Sequence, residues 1–262
     1  MVFCVSAVKA ADRSKLEAFL NVTGFDVALD SIRNSAGSAP DMLGMDPGTF
    51  GADWTRLTAT VFDTAVMRGM AIDILEATLT DDLLSHAAAF YASDLGQRLV
   101  QAENSSHMVA DSDAKQEAGS ALVAQMVQEG SPRLAMLKRM NQAIDTSDTS
   151  TRALQEIQIR FLMSASAAGV VELRMDTDEL RALMKTQEGQ LRRAIQQSAL
   201  AGAAYTYQAF SDDEVEAYAE ALENPSMQSV YELMNAVQYE IMANRFEALA
   251  AQMAELTPVQ DI

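Results

Sequence analysis

The chain has two histidines, His86 and His107. A metal centre built on both would still need a carboxylate or water to complete its ligand set. His86 lies beside Ala87, Ala88 and Ala89 inside one helical stretch, and His107 lies near the end of the next. An antiparallel helix pair would bring them together. The alternative is a half-buried His86 and a His107 favoured by the negative end of its helix dipole. Met42 with Met45, and Met67 with Met70, show a spacing that soft cuprous-ion sites use. Methionine is also a pliable core filler, and here it is spread along the whole chain. Asp81-Asp82 and Asp212-Asp213 are paired acids, but adjacent helical positions point about 100° apart. First-turn placement explains them better than acid and base catalysis. Ser198-Ala199-Leu200-Ala201-Gly202 lacks the strand-to-helix elbow of a serine nucleophile and reads as helix. No phosphate-cradling loop or dinucleotide fingerprint is present. The residues therefore nominate no catalytic, cofactor-binding or metal-ligating set, and the expected class is not an enzyme.

The elements that would position any site are helices. Periodicity of three and four dominates, strand-like alternation is almost absent, and Gly and Pro fall mostly between periodic segments. The fold class is all-α, a multi-helix bundle. Helices are predicted over 12–22 and 25–32, followed by a Gly- and Pro-rich loop over 34–51 that contains Pro40 and Pro47. A long helix is predicted over 52–77, then 81–92 and 94–108 with Thr80 and Ser93 as N-caps. Further helices are expected over 114–128 and 132–144, the latter capped by Ser131 with Pro132 at its first position. Beyond them the pattern predicts 151–171, 178–185, 188–207, a helix opened by the capping box Ser211 and Glu214, and a last helix over 226–256 capped by Asn224. The small-residue runs 164–169 and 199–204 would let helices approach closely at the centre of the bundle. Tyr205, Tyr207, Tyr218, Tyr231 and Tyr239 gather near the end, to line a groove or to pack with satisfied hydroxyls.

Adding 131 to a number in the first capped unit lands on a residue of the same physical role in a second. Leu79 falls on Phe210, Thr80 on Ser211, Asp81 and Asp82 on Asp212 and Asp213, Ser93 on Asn224, and Leu99 on Val230. In both units the second cap lies thirteen positions after the first. The spacing predicts an internal repeat and two similar helical halves, 11–145 and 151–262, packed as one unit about the short polar segment 145–150.

The run Phe90-Tyr91-Ala92-Ser93-Asp94-Leu95-Gly96-Gln97-Arg98-Leu99 resembles the FY-x-S-P-x-G-x-x-L signature of the bacterial family named domain of unknown function 2059. Asp94 stands where that family often has proline, while Pro225 supplies it in the second unit. There Ala221, Leu222 and Met227 replace the aromatic pair and the glycine. Thr23-Gly24-Phe25-Asp26 is similar to the family's opening helix pair. The resemblance implies a helical, exported bacterial protein and brings no catalytic residues.

Bulk properties narrow the partners. Against 19 basic residues stand 37 acidic ones, a formal charge of −18, which opposes nucleic acid and anionic lipid surfaces. No apolar run reaches the roughly 18 residues of an integral membrane segment. Residues 1–10 are mostly apolar or small, and Val8 and Ala10 sit where a leader cleavage site wants small residues, so cleavage after Ala10 and a periplasmic location are expected. Cleavage would remove Cys4, the lone cysteine, and with it disulfide and thiolate chemistry. The expected role is a non-catalytic binding protein that takes a protein, a peptide or an apolar small molecule in a groove between the two halves. The alternative is a copper- or zinc-handling protein.

Overall fold

The computed structural model describes residues 12–46, 50–145 and 149–256, which form helices and connecting turns with no strand among them. The cleavage-like Val8-Lys9-Ala10 and Cys4 lie outside the described residues. In chain order the helices are α1 (Arg13–Val22), α2 (Phe25–Ser35), α3 (Ala39–Met42), α4 (Gly51–Val61), α5 (Thr64–Thr78), α6 (Asp81–Tyr91) and α7 (Asp94–His107). They continue as α8 (Ser112–Glu129), α9 (Arg133–Ile144), α10 (Thr149–Ala167), α11 (Thr177–Thr206), α12 (Asp212–Leu222) and α13 (Pro225–Met253).

Side-chain caps set most of these starts. Thr80 accepts the Leu83 N–H and Ser93 the Gly96 N–H. Ser211 accepts from Glu214, whose carboxylate returns to the Ser211 N–H in a full capping box, and Asn224 accepts from Ser226. The two capped pairs, α6 with α7 and α12 with α13, share this chemistry and differ beyond it. The capping box occurs only in the later pair, because Leu83 stands where Glu214 does. In addition, α7 has 14 residues against 29 in α13.

Four boundaries differ from the periodic pattern. The helix expected over 52–77 is two helices, because Asp63 adopts an extended backbone and its carboxylate caps the Val66 N–H. Ser131 does not cap α9; no side-chain cap bond is made there, and the chain enters through Pro132. The segments 178–185 and 188–207 are one 30-residue helix. Its Thr186 hydroxyl donates back to the Leu183 carbonyl at 2.6 Å and is satisfied without breaking the helix. Within 34–51, a 3-10 turn at Ala36–Ser38 leads into the short α3.

The core is one cluster of buried side chains drawn from both halves. Its axis is α13, whose Met227, Val230, Met234, Val237 and Ile241 are buried at alternating three and four spacing, followed by Phe246, Leu249, Ala250 and Met253. A helix apolar on most sides must lie inside the bundle, and α13 packs on α4, α5, α6, α9, α10 and α12. Phe246 makes edge contacts with Phe62 at 5.6 Å and Phe161 at 5.3 Å. The halves interleave, with α8 on α11, α9 on α12 and α6 on α13. Arg160 clamps α10 to α13 through Glu240 and Glu247, and Arg139 clamps α9 to α12 through Glu216 and Glu223. These bidentate pairs hold Glu247 and Glu223 below the ordinary carboxylate range.

Of the two small-residue runs, 199–204 lies at a close crossing. A Cβ on Gly119 of α8 would stand 2.1 Å from the Ala201 carbonyl oxygen of α11. The run 164–169 ends α10, with Ala165 buried and Gly169 at a φ of +74°.

Candidate functional site

Two places gather polar groups. The first lies between the capped helix pairs. Tyr91 ends α6, Tyr207 follows α11, Tyr218 is on α12 and Tyr231 on α13, and their hydroxyls converge on Glu103 of α7. Tyr207 and Tyr218 donate to Glu103 Oε1 at 2.7 and 2.8 Å. The Tyr218 hydroxyl also bonds those of Tyr91 and Tyr231, each at 3.0 Å, and Tyr91 bonds Tyr231. Phe90 stacks on Tyr218 at 5.7 Å, and Tyr207 meets the Tyr218 edge at the same distance.

Burial, more than any neighbouring charge, raises all four phenols well above their ordinary range, so they remain protonated donors. Burial also raises the Glu103 carboxyl, with the two phenol bonds opposing it. Arg133 fixes the turn that carries Tyr207. Its guanidinium donates to the Tyr207 and Phe210 carbonyls at 2.5 and 2.9 Å and to Asp212 at 2.6 Å. Nearby, Arg98 lies 5.6 Å from the Phe210 ring centre and pairs with Glu214 at 2.5 Å. Each polar group in the cluster thus meets another within the fold. The space between the two capped pairs is packed with aromatic rings.

The second place is an open groove of about 700 Å³ at the meeting of the two halves. One wall is α9, which contributes Lys138, Asn141 and Gln142 at helical spacings of three and four, with Asp145 at its C-cap. The other wall is the middle of α11, contributing Arg193, Gln196, Gln197 and Leu200 in the same rhythm. Ser150 opens α10 at one end, and Asn235 and Tyr239 of α13 form the base. Ile144, Ile195, Leu200 and Tyr239 supply half-buried apolar surface.

Some of the polar rim is already engaged. Asn235 donates to the Ile144 carbonyl at 2.8 Å, and Asp145 accepts the Thr149 N–H at 2.8 Å and the Ser150 hydroxyl. Along this opening the middle of α11 is held at its surface, through Gln155 on the Met184 carbonyl and Ser198 on Gln116, and between Leu180 and Ala201 none of its residues is buried.

The candidates nominated by residue type fall elsewhere. His86 is half-buried in α6 and His107 is exposed at the last position of α7. Among the described residues, no three His, Cys, Asp or Glu side chains gather in metal-binding positions. Met67 is fully buried, and Met42, Met45 and Met70 pack against the core. Asp81 faces Lys15 at 3.6 Å and Asp212 faces Arg133. Of the five late tyrosines, Tyr207, Tyr218 and Tyr231 enter the buried cluster and Tyr239 lines the groove. Sequence reasoning missed Glu103 and the role of Tyr91. A signal existed, since Glu103 shares a three-and-four stripe with Gly96, Leu99 and Ser106, which are all buried.

Residues 65–125 match the family model described as "Uncharacterized protein conserved in bacteria (DUF2059)". The matched segment runs from α5 into α8 and so contains the Phe90 to Leu99 run. It covers the first capped unit and not the second. No curated protein and no solved structure matches the chain.

Proposed function

We propose that the protein is a non-catalytic binding protein whose ligand occupies the groove between α9 and α11. The observation that carries this reading is the groove itself. Its volume lies in the roughly 300–1,000 Å³ range typical of ligand sites, and it combines apolar surface with amide groups that orient a guest. The middle of α11 has no buried residue between Leu180 and Ala201, which accords with a groove face that a guest covers. The buried tyrosine and glutamate cluster supports a structural role for the other polar centre, because its carboxylate and hydroxyls are bonded to one another.

Ala199 lines the groove from an exposed position, so Ala199→Trp fills it without entering the core. After incubation with a small-molecule extract, native mass spectrometry of the full chain should show a retained species on the wild type. The Ala199→Trp variant, with unchanged circular dichroism, should lose it by about tenfold in affinity, or roughly 1.4 kcal/mol. The species should be released chemically unaltered. Equal retention by both proteins would remove the groove from the reading, and recovery of a converted product would replace binding with catalysis.

The reading places the protein in the periplasm, on the strength of the small and apolar residues before Ala11. Among the described residues, no helix is long and apolar enough to cross a membrane. Amino-terminal sequencing of the protein from a periplasmic extract should begin at Ala11. A full-length cytoplasmic product would contradict export.

A further inference from the structure

The groove walls are locally basic in an acidic chain. Acids number 37 in 262 residues, yet none occurs from Gly130 to Ile144 or from Gly189 to Ser211. These two stretches contain α9 and the groove-facing part of α11. Within them Arg133, Arg139 and Arg192 are engaged by carboxylates. Lys138 and Arg193, which line the groove from opposite walls, meet no carboxylate among the described residues. The one acid on the lining, Asp145, is turned toward the backbone N–H of Thr149 and the Ser150 hydroxyl. A protein with a formal charge of −18 therefore keeps two uncompensated cations beside half-buried Ile144, Leu200 and Tyr239.

We propose that the groove selects a small amphipathic anion, a free single-chain carboxylate. Its head lies within reach of Lys138 and Arg193, and its apolar chain covers Ile144, Leu200 and Tyr239. This rests on the binding role of the groove and specifies the ligand's chemistry. The cations supply attraction that the surrounding acidic surface denies elsewhere, and the apolar base supplies the area that a simple inorganic anion cannot use. The acidic surface also explains why the guest is a free molecule: an anionic bilayer would meet the repulsion of the whole face, whereas a single carboxylate meets only the groove.

The test titrates the full chain with decanoate, decanol and decyltrimethylammonium, each below its self-association limit, while backbone amide resonances of Ile144 and Gln196 are followed. Decanoate should bind about tenfold more tightly than decanol, with the cation weakest, and added salt should narrow the gap. The double variant Lys138→Gln, Arg193→Gln should bring decanoate to the affinity of decanol while leaving decanol unchanged. Equal binding of all three by the wild type, at groove amides, would overturn anion selection and leave the groove's binding role standing. Failure of all three to move those amides would count against both. Binding to phosphatidylglycerol vesicles without binding of monomeric decanoate would overturn the free carboxylate in favour of a lipid surface.

Discussion

Replacing Gly96 with alanine is expected to destabilise the protein by about 3 kcal/mol, the upper end of what overpacking costs. In an exposed helical position the same change stabilises by roughly 1 kcal/mol, because alanine loses less backbone freedom. The sign reverses at Gly96 because of the corner between α6 and α7. A Cβ there would stand 2.3 Å from the Phe90 carbonyl oxygen and 2.6 Å from the Tyr91 Cα. Both neighbours are backbone, so neither can rotate away. Relief would require the two helices to separate, which moves Phe90 off the Tyr218 ring and Tyr91 off its hydroxyl partners. Gly202 in α11 is the internal control, since a Cβ there meets nothing within 4 Å. Urea denaturation should place Gly96→Ala well below the wild type and Gly202→Ala at or above it. Equal effects of the two substitutions would show that the corner is not closed as described.

That corner also shows what kind of information the sequence carried. The signature around Phe90 to Leu99 marks the place, and the caps at Thr80, Ser93, Ser211 and Asn224 locate the starts of their helices to within a residue. Cap chemistry is local: a side chain and an N–H two or three positions away decide it. The errors came where two local signals competed. From Trp54 to Leu75 the apolar rhythm runs through Asp63 almost unbroken, so periodicity outweighed a cap that ends one helix and starts another. Near Thr186 the reverse holds: the gap between the helices expected over 178–185 and 188–207 falls on a residue whose hydroxyl is satisfied within one continuous helix.

The sites were less legible because both are assembled from remote segments. Glu103 and Tyr207 are 104 positions apart, and Tyr91 and Tyr231 are 140 apart. The late tyrosines could be seen as a group, but a spacing rule on one helix cannot announce a carboxylate on another. The groove has the same origin. Lys138 and Arg193 each belong to an ordinary amphipathic stripe, and only the approach of α9 to α11 puts them on one concave surface.

The buried cluster gives the second large effect and ties it to pH. Tyr218→Phe removes the hydroxyl that Glu103, Tyr91 and Tyr231 share, and is expected to destabilise by about 2 kcal/mol, the scale of a buried polar group left short of partners. The ring remains, so its stacking on Phe90 is kept and the loss reports the hydroxyl. The sign of the pH dependence follows from Glu103. Burial raises its carboxyl above the ordinary value of 4.5, so the folded protein holds this proton at pH values where the unfolded chain has released it. Stability from this group is therefore greatest below 4.5 and falls as pH rises from there through the folded value, after which it is level. Removing one of the two phenol donors weakens the support of the ionised form and raises the carboxyl further. The penalty of Tyr218→Phe should thus be larger at pH 7 than at pH 4.5. Glu223 and Glu247 act in the opposite direction, losing their contribution as pH falls, but they are common to both proteins and cancel in the difference. Adding Glu103→Gln should abolish the pH dependence of that difference. A Tyr218→Phe penalty that is the same at both pH values, with and without Glu103→Gln, would mean that the carboxylate does not depend on this phenol.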